Sequence, residues 1–344
     1  MMKTPMGTLI PDVDYSPTKF EAEYPDHFPE LEVPADNELT LEKIVLGQHL
    51  FYDAILSADS TMSCSSCHDP KLAFTDAKEF SVGIDGIEGP RSSMSLVNVG
   101  FFYNGLFWDG RDTTLEAQAL VPVEDPIELH NNWPGLMAKL RIHDDYPRMF
   151  REAFGISFTE EMTKEMAAKA LASYQRVLIS GNSKFDRWLI GIDVLEDDEL
   201  EGMEMYFDTN PDVPDAECAH CHEAPLMATN DYFNNAISEV DTVSDFPDLG
   251  RGEVTSNPLD NGKFRAPSLR NITLTAPYMH DGRFKTLREV LDHYNSGGKP
   301  SPNSDALVLP LGLNEQQIQN LEAFLHTLVD TSYLDNEYVT NPFY

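Results

Sequence analysis

The chain has 344 residues, 41% of them hydrophobic, which is enough for a sizeable core and suggests roughly two domains of ordinary size. Its 58 acidic and 24 basic residues give a net charge of −34, so the surface should repel nucleic acid and anionic membranes and attract cationic partners. No run approaches the ~18 apolar residues of a membrane-spanning helix, so we expect no membrane insertion.

The predicted elements are mostly helices joined by long loops. Residues 1–38 are rich in Pro, Asp and Glu and predict an irregular N-terminal arm, and residues 39–53 predict the first helix. Residues 69–107 are rich in Gly, Pro, Ser and Asp and predict a long ordered loop. Further helices are predicted at Thr114–Leu120, Trp133–Leu140 and Tyr146–Phe154, within Thr163–Ile179, and after the N-cap Asn314. No run of alternating strands occurs, so the predicted fold is mainly α.

An internal repeat divides the chain. The segments 47–53 and 202–208 both begin with Gly and end with Asp, and both precede a short loop and a pair of cysteines. Such a repeat predicts two related domains, 39–185 and 186–335, with the boundary near Ser180–Asp198.

The cysteines carry the strongest chemical signal. All four fall in two CxxCH patterns, formed by Cys64, Cys67 and His68 and by Cys218, Cys221 and His222. This pattern predicts two covalent c-type haems, because two thiols form thioethers to the porphyrin and the adjacent histidine reaches the iron. A thioredoxin-like redox pair would need a βαβ unit, and a four-cysteine zinc site would leave both histidines without a role.

Haem attachment of this kind takes place outside the cytoplasm in bacteria. We therefore expect a periplasmic protein. The first residues contain no hydrophobic signal region, so the expectation is that a signal peptide has been removed.

Several spaced motifs accompany the haem signatures over about residues 40–330. They are LGQHLFYDAILS before CSSCH, FWDGR at 107–111, SKFDRW at 183–188, KFRAPSLRNITLTAPYMHDG at 263–282 and TLREVLDHY at 286–294. Together they resemble the bacterial dihaem cytochrome c peroxidases and, within them, the MauG-like branch. The resemblance implies two cytochrome c-like haem domains facing each other, the first binding peroxide and the second storing and passing oxidising equivalents.

The resemblance also implies roles for residues around the first haem. Trp108 would lie between the haems and relay electrons. Glu128, twenty residues later, would take a proton from bound peroxide and return it to the leaving oxygen. Gln118 and Pro122 match other residues of the distal pocket.

One departure from the ordinary peroxidases concerns the first haem. Those enzymes often hold a histidine in the loop after the first CxxCH, and it caps the peroxidatic iron. No histidine occurs between His68 and His130 in this chain. We therefore predict an open or water-bound ferric iron that reacts with peroxide without prior reduction.

A second departure concerns the other haem. Ordinary peroxidases place a methionine fourteen residues after the histidine of PYxHDG, and counting from His280 reaches Tyr294. A phenolate is hard and anionic and should stabilise oxidised iron, as the MauG-like branch implies. Met279 and His293 remain alternative ligands. His280 is expected to contact the haem edge or a propionate.

The resemblance further implies a calcium ion between the domains. The backbone carbonyls of Thr275 and Pro277 match two of its ligands, and oxygen donors suit calcium. The expected asparagine falls near residues 91–92, where the chain has Arg and Ser.

The predicted function is a MauG-like dihaem peroxidase that uses H2O2 to oxidise a partner protein. The oxidised group would be a Trp or other aromatic residue, reached by long-range electron transfer through high-valent haem. The alternatives are an ordinary dihaem peroxidase fed by a small cytochrome or cupredoxin, and a non-enzymatic dihaem electron carrier.

Overall fold

The structure is a computed structural model that describes residues 8–10 and 14–343. Over these residues the chain forms eleven α-helices and one short antiparallel sheet. The helices are α1 (Leu41–Tyr52), α2 (Leu115–Gln118), α3 (Val121–Glu124), α4 (Trp133–Arg141), α5 (Tyr146–Phe154), α6 (Lys164–Gln175), α7 (Lys184–Leu189), α8 (Asp197–Phe207), α9 (Arg251–Thr255), α10 (Leu287–Asn295) and α11 (Glu315–His326). In the sheet, β1 (Tyr232–Phe233) pairs with β2 (Phe264–Arg265).

The mainly α prediction is confirmed, and several helix ends follow from local capping. Asn314 begins α11, where its side chain accepts the backbone N–H of Gln317 at 3.1 Å. The helix predicted at 114–120 is present as the single turn α2, and a separate turn, α3, follows it, since Pro122 lacks the N–H that would continue one helix through both. Residues 69–107 contain short 3-10 turns but no α-helix or strand.

The repeat seen in the sequence recurs in the packing. Helix α1 packs along α6, and α8 packs along α11. Gly47 and Gly202 occupy the two crossing points, where an added Cβ would overlap the carbonyl oxygens of Ala170 and Asn320. Glycine at these positions allows the close approach of each helix pair.

Two main hydrophobic clusters form the core. The first contains buried residues of α1, α4, α5 and α6, and Tyr333 and Val339 near the C-terminus also pack into it. The second contains buried residues of α8, α10 and α11. The limits of the two domains stay a prediction, and residues 1–7 and 11–13 of the predicted arm lie outside the described residues.

No helix in the described part of the chain has the length and apolar character required to cross a bilayer.

Candidate functional site

One large cavity lies between the two halves of the molecule and receives residues from both CxxCH segments. All four cysteines line it, together with His68 and His222. Most of the other lining side chains are apolar, including Phe51, Leu129 and Leu321. An apolar cleft with a few polar groups is the usual form of a site for a large organic cofactor.

The first motif presents its histidine to this cavity in a fixed orientation. A 3-10 turn at Cys64–Ser66 starts the segment, and the Nδ1 of His68 hydrogen-bonds the carbonyl of Phe74 at 2.8 Å. A carbonyl can only accept, so this bond assigns the proton to Nδ1 and leaves Nε2 as a lone-pair donor. Burial lowers the pKa of His68, which favours the neutral imidazole that an iron ligand requires.

The second motif repeats the same arrangement. The Nδ1 of His222 hydrogen-bonds the carbonyl of Pro267 at 2.9 Å, and Tyr206 donates its hydroxyl to the His222 carbonyl at 2.6 Å. Burial lowers the pKa of His222 to about 4. In both halves a backbone carbonyl orients the ring by accepting the hydrogen bond of its Nδ1, an arrangement that is usual for metal-bound histidines.

The two alternative roles of the cysteines, a redox-active pair and a zinc site, do not fit the structure. A redox-active CxxC needs a lowered thiol pKa, whereas burial raises the pKa of Cys64 and of Cys218 to about 12. The side chains of Asp215, Glu217 and His220 form the one group of three or more His, Cys, Asp or Glu close enough to share a metal ion among the described residues. The four sulfur atoms therefore do not converge as a zinc site would require. The donor set and the apolar cleft fit two haems.

The predicted distal residues line the same cavity. Glu128, Gln118 and Pro122 all face it, and the Oε1 of Gln118 is buried without a hydrogen-bond partner. The Glu128 carboxylate has no hydrogen bond or ion pair within the described residues. Burial, followed by the charge of Asp125, raises its pKa to about 7. A buried carboxyl that titrates near neutrality can both accept and return a proton.

Trp108 lies where the two halves meet. Its Nε1 donates to the carbonyl of Ser92 at 2.9 Å, and its carbonyl accepts the backbone N–H of Arg265 at 2.8 Å. Ser92 also bonds the second half, through its N–H to the carbonyl of His280 at 2.8 Å and through its hydroxyl to the carbonyl of Met279 at 3.0 Å. The indole is thus held between elements of both halves, and it lines the cavity.

An ion-pair network fixes the segment that carries Trp108. Arg91 contacts Asp109 in the first half and Asp248 in the second half, with Nε to Asp248 at 2.7 Å. Arg251 donates to the carbonyls of Asp109 and Gly110 at 3.0 and 2.9 Å. The Arg91 and Asp109 side chains are 12% and 5% exposed, so these charges are shielded from solvent.

Asn235 contacts all three candidate ligands of the second haem. Its Nδ2 lies 3.2 Å from the Sδ of Met279 and 3.4 Å from the hydroxyl of Tyr294, and its carbonyl lies 2.9 Å from the Nε2 of His293. Tyr294 and Met279 line the cavity, whereas His293 does not. Burial raises the pKa of Tyr294 to about 12, so its phenolate form needs a neighbouring positive charge such as ferric iron. The identity of the ligand stays a prediction.

His280 lines the cavity as a buried, neutral ring. It stacks on Phe264 with ring centroids 3.6 Å apart, and its ring nitrogens have no hydrogen bond within the described residues. Burial lowers its pKa to about 4. Thr275 and Pro277 also line the cavity, and calcium at their carbonyls stays a prediction.

Three residues important to this geometry have no signal in the sequence. Ser92, Asn235 and Gln175 lie in contexts typical of a loop or a helix end, and chain distance hides their partners. The Oε1 of Gln175 is buried without a partner and the residue lines the cavity, as Gln118 does. Only the packing of distant segments brings these polar atoms to the cofactor cleft.

Comparison with known proteins gives consistent matches. The sequence profile of the di-haem cytochrome c peroxidase family matches residues 41–193. A cytochrome-c peroxidase of Denitromonas iodatirespirans is 34% identical over 89% of this chain and 86% of that protein. The methylamine utilization protein MauG of Methylorubrum extorquens is 34% identical over 86% of this chain and 80% of that protein.

Solved structures agree with this picture. The crystal structure of a MauG-like protein associated with microbial copper homeostasis covers 94% of this chain and 100% of its own, with 34% identity and a TM-score of 0.85. The diheme peroxidase BthA from Burkholderia thailandensis is 23% identical, with a TM-score of 0.74 over 96% of this chain and 94% of its own, and shows likeness of fold.

Proposed function

This chain belongs to the di-haem cytochrome c peroxidase family, and from that premise we propose that it uses H2O2 to oxidise an aromatic residue, foremost a tryptophan, of a partner protein in the manner of MauG. Family membership makes it a peroxide-dependent oxidoreductase with two haems. The proposal concerns the source of the electrons, which the relatives leave open because they include both cytochrome c peroxidases and MauG proteins.

The half-buried phenol of Tyr294 is the observation that carries the proposal. It lies in the cavity beside the second CxxCH segment, where Asn235 donates to its oxygen at 3.4 Å. An anionic oxygen ligand stabilises oxidised iron, whereas a thioether ligand favours the reduced iron. A second haem held by Tyr294 would therefore be suited to storing oxidising equivalents for a substrate that is difficult to oxidise.

The lining of the first half supports peroxide chemistry there. Bound haem iron would supply the two-electron reduction that breaks the O–O bond. The chain would supply proton transfer at the carboxylate of Glu128, whose pKa of about 7 makes both protonation states available at neutral pH. Gln118 faces the same space with an unpartnered Oε1 that can accept a hydrogen bond from bound peroxide.

The absence of a capping histidine supports direct reaction with peroxide. Three histidines line the cavity, namely His68, His222 and His280, and none comes from the loop after the first motif. His130, the next histidine after His68, is exposed and contacts Asp85. That loop therefore contains no histidine that could cap the iron of the first haem.

Trp108 would carry electrons between the two haems. Its indole donates to Ser92, which is itself bonded to the His280 segment of the second half. This chain of hydrogen bonds would hold the ring in one orientation between the two sites. A fixed orientation of the indole favours electron transfer, because the ring need not move before each transfer.

Met279 favours a second candidate function. Its sulfur lines the same cavity and shares the Asn235 amide with Tyr294. Ligation by Met279 would raise the potential of the second haem and suit an ordinary peroxidase, with a small cytochrome or cupredoxin as donor. The simple electron carrier has less support, because Glu128 offers the first site a proton-transfer group and the loop after the first motif contains no histidine.

The deciding experiment adds one equivalent of H2O2 to the resting ferric holoprotein without a reductant. An immediate change of the haem absorption spectrum is expected. A requirement for prior one-electron reduction would instead support the ordinary peroxidase, and no response in either state would leave the carrier. Mass spectrometry of the protein encoded beside this gene, before and after peroxide treatment, would identify the oxidised residue.

A matched pair of variants separates the two ligand assignments. Tyr294→Phe should change the ferric absorption and paramagnetic resonance spectra of the second haem, since it removes the ligating oxygen. Met279→Leu should leave both spectra as in the wild type. The reverse result would assign the second haem to Met279 and support the ordinary peroxidase.

The proposal also includes a periplasmic location and a bound calcium ion. Covalent haem attachment to CxxCH takes place outside the bacterial cytoplasm, so the protein would act in the periplasm. A calcium ion at the carbonyls of Thr275 and Pro277 would stabilise the junction of the two halves. Thermal unfolding with and without a chelator would reveal it.

A further inference from the structure

The end of α7 and the loop that follows it expose four large aliphatic side chains. Leu189, Ile190, Ile192 and Val194 are 44%, 61%, 72% and 69% exposed. At its tip Gly191 has a positive φ of 74°, and a Cβ there would meet nothing within 4 Å. We name residues Leu189–Val194 the apolar loop. Isolated apolar residues on a surface are ordinary, but four within so short a segment are typical of a contact site.

The apolar loop is held in one conformation. The N–H groups of Ile192 and Asp193 donate to the carbonyl of Arg187 at 2.8 and 3.2 Å, and Gly191 donates to the carbonyl of Trp188 at 3.0 Å. The Arg187 side chain pairs with Asp193 at 2.9 Å. A surface that is already ordered loses little conformational entropy on binding.

Aromatic rings connect this loop to the second haem site. Trp188, half-buried at the base of the loop, stacks on Phe185 with centroids 5.7 Å apart. Phe185 lies 5.3 Å from Phe324, which lies 5.1 Å from Tyr206. Tyr206 lines the cofactor cavity and donates to the carbonyl of His222. An oxidisable indole thus stands at the surface end of a continuous set of rings that reaches the cavity.

Acidic residues border the apolar loop. Glu196, Asp197 and Asp198 follow it after Leu195, are exposed, and form no ion pair with any residue that the structure describes. The whole chain carries a net charge of −34. A second copy of this chain would bring the same acidic residues against this border, so like charges oppose self-association. A basic partner gains attraction at the same place.

We propose that the apolar loop docks a partner protein whose apolar contact face is ringed by Lys and Arg, and that Trp188 receives its electrons. This inference rests on the proposed function, which supplies the oxidant. The partner loses one electron at a time, and each passes through Trp188 toward the second haem site. Two electrons and two protons reduce one H2O2 to two waters, and the partner's donor group is oxidised.

Docking is tested without peroxide, so its result is independent of the proposed function. The probe is heart-muscle cytochrome c, a small lysine-rich redox protein, added to the holoprotein at low ionic strength. Hydrogen–deuterium exchange should show protection at residues 187–198, which salt removes. Protection confined to another surface would overturn the proposal.

Matched variants measure the contribution of the loop. The double variant Ile192→Ser, Val194→Ser should weaken the Kd for the probe about tenfold, equivalent to about 1.4 kcal/mol. Ile142→Ser is the control, since Ile142 is 86% exposed on α4's C-terminal side and distant in sequence from the loop. An equal loss in the control, or none in the double variant, would contradict the docking surface.

Two further measurements complete the test. Sedimentation of the wild type should show a monomer, whereas a dimer that the double variant dissociates would assign the loop to a second copy and overturn the proposal. With saturating reduced probe, Trp188→Phe should slow electron transfer to the H2O2-oxidised holoprotein about tenfold in stopped flow. An unchanged rate would remove Trp188 from the path.

Discussion

Replacing Glu128 by Gln should slow the reaction with H2O2 by roughly 10²–10⁴-fold and remove its dependence on pH near neutrality. Burial, and then the charge of Asp125, raises the pKa of this carboxyl to about 7. The proton acceptor is the ionised form, so the wild-type rate should rise with pH up to about 7 and then level off. An amide cannot accept the peroxide proton, so the variant should lack that rise.

The same pKa gives a stability prediction. The carboxyl has an ordinary pKa of 4.5 and a folded-state pKa of about 7, so the folded protein binds the proton more tightly than the unfolded chain does. Stability from this group is therefore complete below about pH 4.5 and is lost as the pH rises through about 7. At about 1.4 kcal/mol per pKa unit, the ionised carboxylate costs at most about 3 kcal/mol. As the pH rises from acid to alkaline, the free energy of unfolding of Glu128→Gln should increase by this amount relative to that of the wild type.

Stopped-flow haem absorbance across this pH range measures the rate, and urea unfolding at about pH 5 and about pH 8 measures the free energy of unfolding. The control is Glu124→Gln, because Glu124 ends α3 four residues earlier with an exposed side chain. A Glu128→Gln protein that keeps both the wild-type rate and its pH dependence would refute the assignment of Glu128 as the proton-transfer group.

Three other predictions follow from the contacts above. Arg270→Met should lower the free energy of unfolding by about 3–5 kcal/mol in urea titrations, because it leaves the Asp186 carboxylate, which is 3% exposed, without its buried partner. Burial raises the pKa of Asp186, but the ion pair with Arg270 outweighs burial and holds this pKa at about 2. The stability from the pair is therefore present above about pH 4 and is lost as the pH falls through about 2. A free energy of unfolding that does not change over this acid range would contradict the pairing. Trp108→Phe should slow the spectral response of the second haem to peroxide by about tenfold or more, and equal rates in variant and wild type would exclude the relay. Gly202→Ala should destabilise the protein by roughly 1–3 kcal/mol through overpacking of α8 on α11, whereas Gly89→Ala, where a Cβ meets no atom closer than 3.6 Å, should unfold as the wild type does.

Sequence patterns predicted the helices that have clear caps and one apolar face. Helix α5 occupies the predicted residues, and α11 begins after its predicted cap. They did not predict α3, the separate turn that contains Pro122, nor α9, a single turn whose ends no strong cap marks. Such short helices depend on tertiary contacts more than on local propensity.

The sequence alone predicted the two haems and the family, because thioether attachment requires two cysteines and a histidine at a fixed local spacing. The internal repeat was visible for a similar reason, since close helix packing requires glycine at one position in each half. Only the tertiary structure decided how the halves meet. Ser92 joins Trp108 to the His280 segment, and Asn235 contacts Tyr294 and Met279 across long stretches of chain. Hydrogen bonds between segments distant in sequence depend on the folded path of the chain, and no local pattern encodes them.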